Sequence, residues 1–320
     1  MERIAPLAMA LLLTGCPEPE PDWSIPLEGG PGGMMLTAYS DGDELIFGGG
    51  MLDGTEGSLL RRSAAGDWCV EVVADRPVWW MHGAAEGTYY GVGERGLILR
   101  FDGGTITDES VATDANLFGV WDDGDRVWAV GGDVIANTGE IWVREGGVWS
   151  VWEDSIDGVV FKVWQDWFVG TGIAFQREGD ELVDRTPEPP ARLLTVRGRA
   201  DDDVYAVGGD AFPVLLRWDG AAWTEMAVDV TCASGGLTGV WTAPGEDLWV
   251  TGMSGAMARF DGTDWACPDF AMTFDHFHAA WLHDGEAWFA GGDFFDNGDN
   301  HATLGIWGTS TVPAAIGACE

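Results

Sequence analysis

Lysine is almost missing from this sequence: Lys162 is the only one in 320 residues. Lys and Arg together number 16 against 53 Asp and Glu, a formal net charge of −37. A field this negative repels nucleic acid and anionic lipid surfaces, which excludes both as charge-matched partners. It reads first as a solvated acidic surface, and second as one able to concentrate divalent cations. Tyrosine is scarce, at 4, and histidine numbers 5. There is no G-x-S-x-G elbow, no H-E-x-x-H, no P-loop and no dinucleotide-type G-x-G-x-x-G. The arginines are scattered, so the clustered arginines with a Tyr–Glu pair of a sialidase-like site are also lacking. The acidic clusters Asp122-Asp123 and Asp201-Asp202-Asp203 read as turn chemistry, because Asp accepts local backbone hydrogen bonds in tight turns.

Glycine and tryptophan are abundant, at 48 and 19. Glycine is therefore about twice its average usage. Hydrophobic residues make up 46%, enough for a sizeable core. A block recurs along the chain: an apolar strand often ending in Trp, an acidic turn, a strand closing on glycine, a third strand, an Asp-Gly turn and a Trp. Residues 117–154 show it as LFGVWDDGDRVWAVGGDVIANTGEIWVREGGVWSVWED. Residues 193–228 and 236–270 repeat it, and weaker copies start at Met34, Val78, Val159 and His276. Seven units at a period of roughly 40 residues match four-stranded β-propeller blades.

The predicted fold is all-β: a seven-bladed β-propeller of four-stranded antiparallel blades over residues 22–320. One small sheet cannot hide both faces, whereas radial stacking hides them and leaves short edges. The pairs Gly48-Gly49, Gly131-Gly132, Gly208-Gly209 and Gly291-Gly292 suit a crowded strand end or a positive-φ turn. Trp68, Trp149, Trp223 and Trp265 are expected between blades. The last unit lacks its Trp-containing outer strand after Gly308, and Asp22-Trp23-Ser24-Ile25-Pro26-Leu27 resembles it. The N-terminal strand is therefore expected to close the ring. The pattern resembles secreted bacterial propeller repeats of the form GxW…VWAVGG…DGxxW, similar to kelch, BNR and photosystem-assembly-factor-like propellers. It departs from them in two ways. The Asp-box is only approximated, as at Asp219-Gly220-Ala221-Ala222-Trp223, and kelch Tyr and Trp spacing is irregular.

Ahead of that fold, residues 1–15 carry Arg3 and a short apolar stretch at 7–13, too short to span a bilayer. The stretch ends in Leu13-Thr14-Gly15-Cys16, which looks like a lipobox with Cys16 as the lipidated residue. Residues 16–21 alternate Pro with Glu and stay extended and solvated, as a tether does. The expected address is an exported lipoprotein of the outer membrane or cell surface, held at the membrane by its lipid alone. Pro17 stands where an inner-membrane retention signal would place Asp.

Four cysteines remain. An even number in an exported chain implies disulfides with three possible connectivities. The repeat places Cys267 on the outer strand of blade six and Cys232 on the segment entering it. Cys69 falls at nearly the same position in blade one, near where the tail carrying Cys319 should pass. The expected bonds are Cys232–Cys267 and Cys69–Cys319, the second clasping the ring.

Propellers place ligands on the face made by loops entering first strands and loops joining second to third strands. That face is expected to carry Asp133, Asp210, Asp293, His276 and His278. Oxygen ligands in the Gly-containing loop at 293–301, namely Asp293, Asp296 and Asp299, suit calcium. The leading functional expectation is a monomeric binding scaffold for a protein or glycan partner, with calcium as a possible cofactor. The alternative is a secreted propeller-type hydrolase or lyase acting on polysaccharide. Convergent carboxylates and an arginine in a deep pocket would favour the enzyme. A shallow, acidic, aromatic-rimmed face would favour binding.

Overall fold

A computed structural model of the chain describes residues 20–85, 87–294 and 300–319, and every described regular element is a β-strand. The calls on residues 1–19, including lipidation at Cys16, lie outside the described residues, as do Asp296 and Asp299. Glu20 and Pro21 are exposed just ahead of the first strand.

Seven sheets form, one per sequence unit. Blade three is representative. Asn116–Asp122, Val127–Asp133, Thr138–Glu145 and Val148–Asp157 pair antiparallel in chain order. The turns between them are held by aspartate. Asp123 Oδ1 accepts the Asp125 and Arg126 amides at 3.0 and 2.7 Å. Asp219 and Asp261 do the same in blades five and six. These hydrogen bonds to the charged form hold the Asp219 and Asp261 carboxyls below their ordinary range.

The ring closes as the sequence suggests. The strand Asp22–Gly30 pairs antiparallel with Ala302–Gly308, with Trp23 opposite Trp307, and completes blade seven as its outermost strand. The C-terminal strand Gly317–Ala318 adds a fifth member to blade one, parallel to Trp68–Ala74. Both expected disulfides form, Cys69–Cys319 and Cys232–Cys267.

Apolar clusters lie between adjacent blades, where strand alternation points the larger side chains. Trp68 stacks on Phe47 and meets Trp288 between blades one and seven. Trp223 packs on Trp167 between blades five and four. Trp149 and Trp265 fill the equivalent places at the two-three and five-six seams. The glycine closing each second strand is explained by crowding. A Cβ on Gly49, Gly131, Gly208 or Gly291 would sit 1.8, 2.0, 1.9 or 2.1 Å from a first-strand or entry-loop carbonyl oxygen. Gly93, Gly170 and Gly252 are the counterparts in blades two, four and six. Of the four predicted pairs only Gly209 has a positive φ, at 88°.

Candidate functional site

The two ends of the ring differ. One, the entry face, gathers the connections into first strands and the turns between second and third strands. Neighbouring blades are tied there by backbone bonds such as Gly96 N to Ala115 O at 2.9 Å and Gly255 N to Asp275 O at 2.7 Å. This face carries most of the exposed large apolar side chains: Val134, Ile135, Phe212, Val230, Phe270 and Phe274. Ile135 and Phe274 are 98% and 88% exposed, values at which a side chain contributes nothing to the fold. The remaining three, Val72, Val148 and Val151, lie on outer strands. Sequence reasoning missed this rim. Its signal was present in Asp210-Ala211-Phe212-Pro213 and Thr273-Phe274-Asp275, where turn chemistry supplies no reason for phenylalanine.

Of the expected ligand-face residues, Asp133, Asp210, Asp293 and His276 lie on this face, whereas the first-strand bulge carries His278 into the axial collar below it; each is engaged locally. Asp133 Oδ1 accepts the amides of Ile135 and Ala136 at 2.8 and 3.0 Å, capping its own turn. It lines an open depression of about 310 Å³ with Asp114, Glu140 and Asp154. Asp210 pairs with Arg192 at 2.7 Å. The backbone carbonyl of Asp293 accepts the Asn300 side-chain amide at 3.1 Å. His276 Nδ1 accepts the Ser254 amide at 3.0 Å. His276 and His278 flank one ring, Phe294, at 5.9 and 6.0 Å between centroids. Among the described residues, no three His, Cys, Asp or Glu side chains gather where they could hold a metal ion. Two of the three residues named for calcium fall outside them.

The axis is filled from both ends. Every first strand carries a bulge at the same place, as between Met35 and Thr37 or Phe277 and Ala279. The extra residues, Leu36, Trp79, Phe118, Phe161, Leu194, Thr238 and His278, form a collar below the entry face. Phe118 meets Trp79 at 5.2 Å and Phe161 at 5.4 Å. Trp79 reaches His278 at 5.9 Å, past blade one's Leu36. His278 Nδ1 lies against the Leu36 carbonyl. Burial, reinforced by the Lys162 ammonium, pushes this histidine down to about 3, so it stays neutral at physiological pH.

Nearer the opposite end, three residues further along each first strand, lies a second ring: Tyr39, His82, Trp121, Trp164, Arg197, Trp241 and Trp281. Each pairs with the equivalent second-strand residue of its blade, as Trp121 does with Trp128 and Arg197 with Tyr205. Six are aromatic. The seventh, Arg197 of blade five, reaches across the axis to Trp121 of blade three and Trp281 of blade seven, 5.8 and 5.1 Å from their ring centroids. His82 stacks on Trp121 at 3.8 Å, and burial together with Arg197 lowers its pKa. Between collar and ring sits Lys162, 3% exposed, with Nζ 4.2 Å above the Trp80 ring and donating to the Phe118 carbonyl. These side chains occupy the axis itself. At the opposite end His82 and Trp121 line an open depression of about 520 Å³ with Asp122, Asp123, Asp166 and Arg177, while the entry face is acidic and rimmed with apolar side chains.

These features define a closed seven-bladed propeller with a plugged axis. No family model and no curated protein matches the chain. Many solved structures share its fold, among them the following three. A structure described as YCF48 bound to D1 peptide superimposes with a TM-score of 0.66 at 13% identity, covering 90% of this chain and 97% of that one. The WD40 propeller domain of Doa1 gives 0.65 at 8%, covering 89% and 97%. YCF48 from Cyanidioschyzon merolae gives 0.63 at 14%, covering 89% and 98%.

Proposed function

We propose that the chain is a lipid-anchored scaffold of the outer membrane or cell surface that binds a protein segment on its entry face. The observation that carries this is the rim of exposed Ile135, Phe212, Phe270 and Phe274 set among acidic turns. Apolar side chains held in water on one face mark interaction surfaces. A partner that covers them is expected to bring apolar residues with basic ones beside them, since opposite potentials steer and fix an encounter. The similar fold of a propeller described as bound to a peptide is consistent with this use. The lipid anchor rests on the order of apolar stretch, small residues and Cys16, with the Pro/Glu segment holding the propeller away from the membrane.

Two measurements test the reading. Envelope extracts should yield a protein cross-linked to the full chain but not to the Phe212→Asp, Phe274→Asp double variant, while both melt at the same temperature. Equal capture by the two removes the entry face as the binding surface. Labelled fatty acid should enter the wild-type chain and not Cys16→Ser; labelling of neither removes the anchor.

A further inference from the structure

We propose that the small axial cavity is a binding site for one halide ion, chloride under ordinary conditions, held between Lys162 and Arg197. Both cations line the same cavity, and no Asp or Glu does. Its remaining walls are largely aromatic, with Trp80 and Trp281 among them. In a chain with 53 acidic residues this is a distinctive arrangement. Every other described arginine has a carboxylate, a hydroxyl or a carbonyl as partner. Arg197 alone among them has neither ion pair nor hydrogen bond, and its Nε is shielded from solvent with nothing to donate to.

Lys162 gives the second half of the site. Its ammonium donates one hydrogen bond, to the Phe118 carbonyl, leaving donor capacity unused. The Trp80 face beside it favours the charged form, because the ring's quadrupole attracts a cation. Burial strips hydration from both cations, and no carboxylate beside them offsets the loss. An anion between them would. Size selects the kind of anion. The cavity measures about 10 Å³, at the lower limit of what accepts a single water-sized occupant. A carboxylate or phosphate does not fit, whereas a monatomic ion fits with little adjustment. Arg197 is only half-buried while Lys162 is 3% exposed, so the way in lies on Arg197's side, opposite the entry face.

The test compares the purified full chain in sodium gluconate and in sodium chloride at equal ionic strength. A saturating rise in melting temperature with chloride, reproduced by bromide, is expected. Arg197→Met and Lys162→Met should each lose that rise. Identical melting in the two salts, or a rise retained by both variants, overturns the site. Should either variant fail to fold, wild-type crystals grown in bromide decide. An anomalous peak on the axis between the two cations supports the proposal, and its absence at that point defeats it.

Discussion

Cys319 is bonded to Cys69 across 250 residues of sequence, and its backbone amide donates to the Val70 carbonyl at 3.0 Å. One covalent bond thus joins the C-terminal strand to the outer strand of blade one. The N-terminal strand separately completes blade seven. Both chain ends are clasped at the same seam.

The two disulfides should differ in worth. Cross-linking restricts the unfolded chain more as the closed loop lengthens, and the loops here span 250 and 35 residues. The chain-entropy relation puts the difference at about 2 kcal/mol. Denaturant unfolding of Cys69→Ser with Cys319→Ser should therefore show a larger loss than Cys232→Ser with Cys267→Ser. Equal losses would mean that the unfolded chain is already compact around the seam.

The N-terminal strand is the second clasp, and Trp23 is its anchor. Its ring lies 6.2 Å from Trp249 and 5.9 Å from Phe289, tying blade seven to blade six. Trp23 is only partly buried, so Trp23→Ala should cost about 2 kcal/mol, below the range for fully buried aromatics. Deleting residues 22–27 should lower the melting temperature much further, because blade seven then loses its outer strand. An unchanged melt after the deletion would contradict closure by this strand.

Closure was legible because the missing strand had a recognisable stand-in, Trp23 before Ile25 and Leu27. The disulfides were legible because the repeat put Cys69 and Cys267 at corresponding places. The axial plug was not. Four of its seven positions hold the Trp that often ends the first strand of the repeat, but the others hold Tyr39, His82 and Arg197, and a recurring Trp does not reveal that it faces the axis. Nothing local reveals that Arg197 crosses the axis to Trp121 and Trp281. His278 was expected on the ligand face with His276 because both stand at the start of a first strand, whereas the bulge after Phe277 turns it into the collar. Gly317 and Ala318 are too short a stretch for any periodicity to mark as a strand.

The glycines closing the second strands should resist even the smallest side chain. A Cβ at Gly131 would stand 2.0 Å from the Asn116 carbonyl oxygen, a backbone atom that cannot step aside alone. Gly131→Ala should cost at least about 2 kcal/mol, as overpacking of rigid sites does. Gly317→Ala, with open space around it, is the matched control and should change stability by less than about 0.5 kcal/mol. A neutral Gly131→Ala would show that the seam between first and second strands is softer than its packing implies.

Lys162 should govern how stability changes between pH 7 and 9. Burial brings its ammonium down to about 7 in the folded state, whereas the unfolded chain keeps the proton to its ordinary value of 10.5. Above pH 7 the unfolded state therefore binds more protons than the folded one, so stability rises with pH, by up to about 1.4 kcal/mol per unit. The groups facing Lys162 do not blur this window. His278 is neutral down to about 3, and Arg197, lowered by burial to about 10, stays charged. Burial also keeps Tyr39 and Tyr89 from ionising there, the latter up to about 12. Since this is the chain's single lysine, Lys162→Met should flatten the slope when measured in gluconate. Chloride should flatten it too in the wild type, because a halide beside the ammonium holds its proton through the window. Chemical denaturation at closely spaced pH values in the two salts reads both effects. A slope of opposite sign, or one that survives Lys162→Met, would show that the buried ammonium does not control the transition.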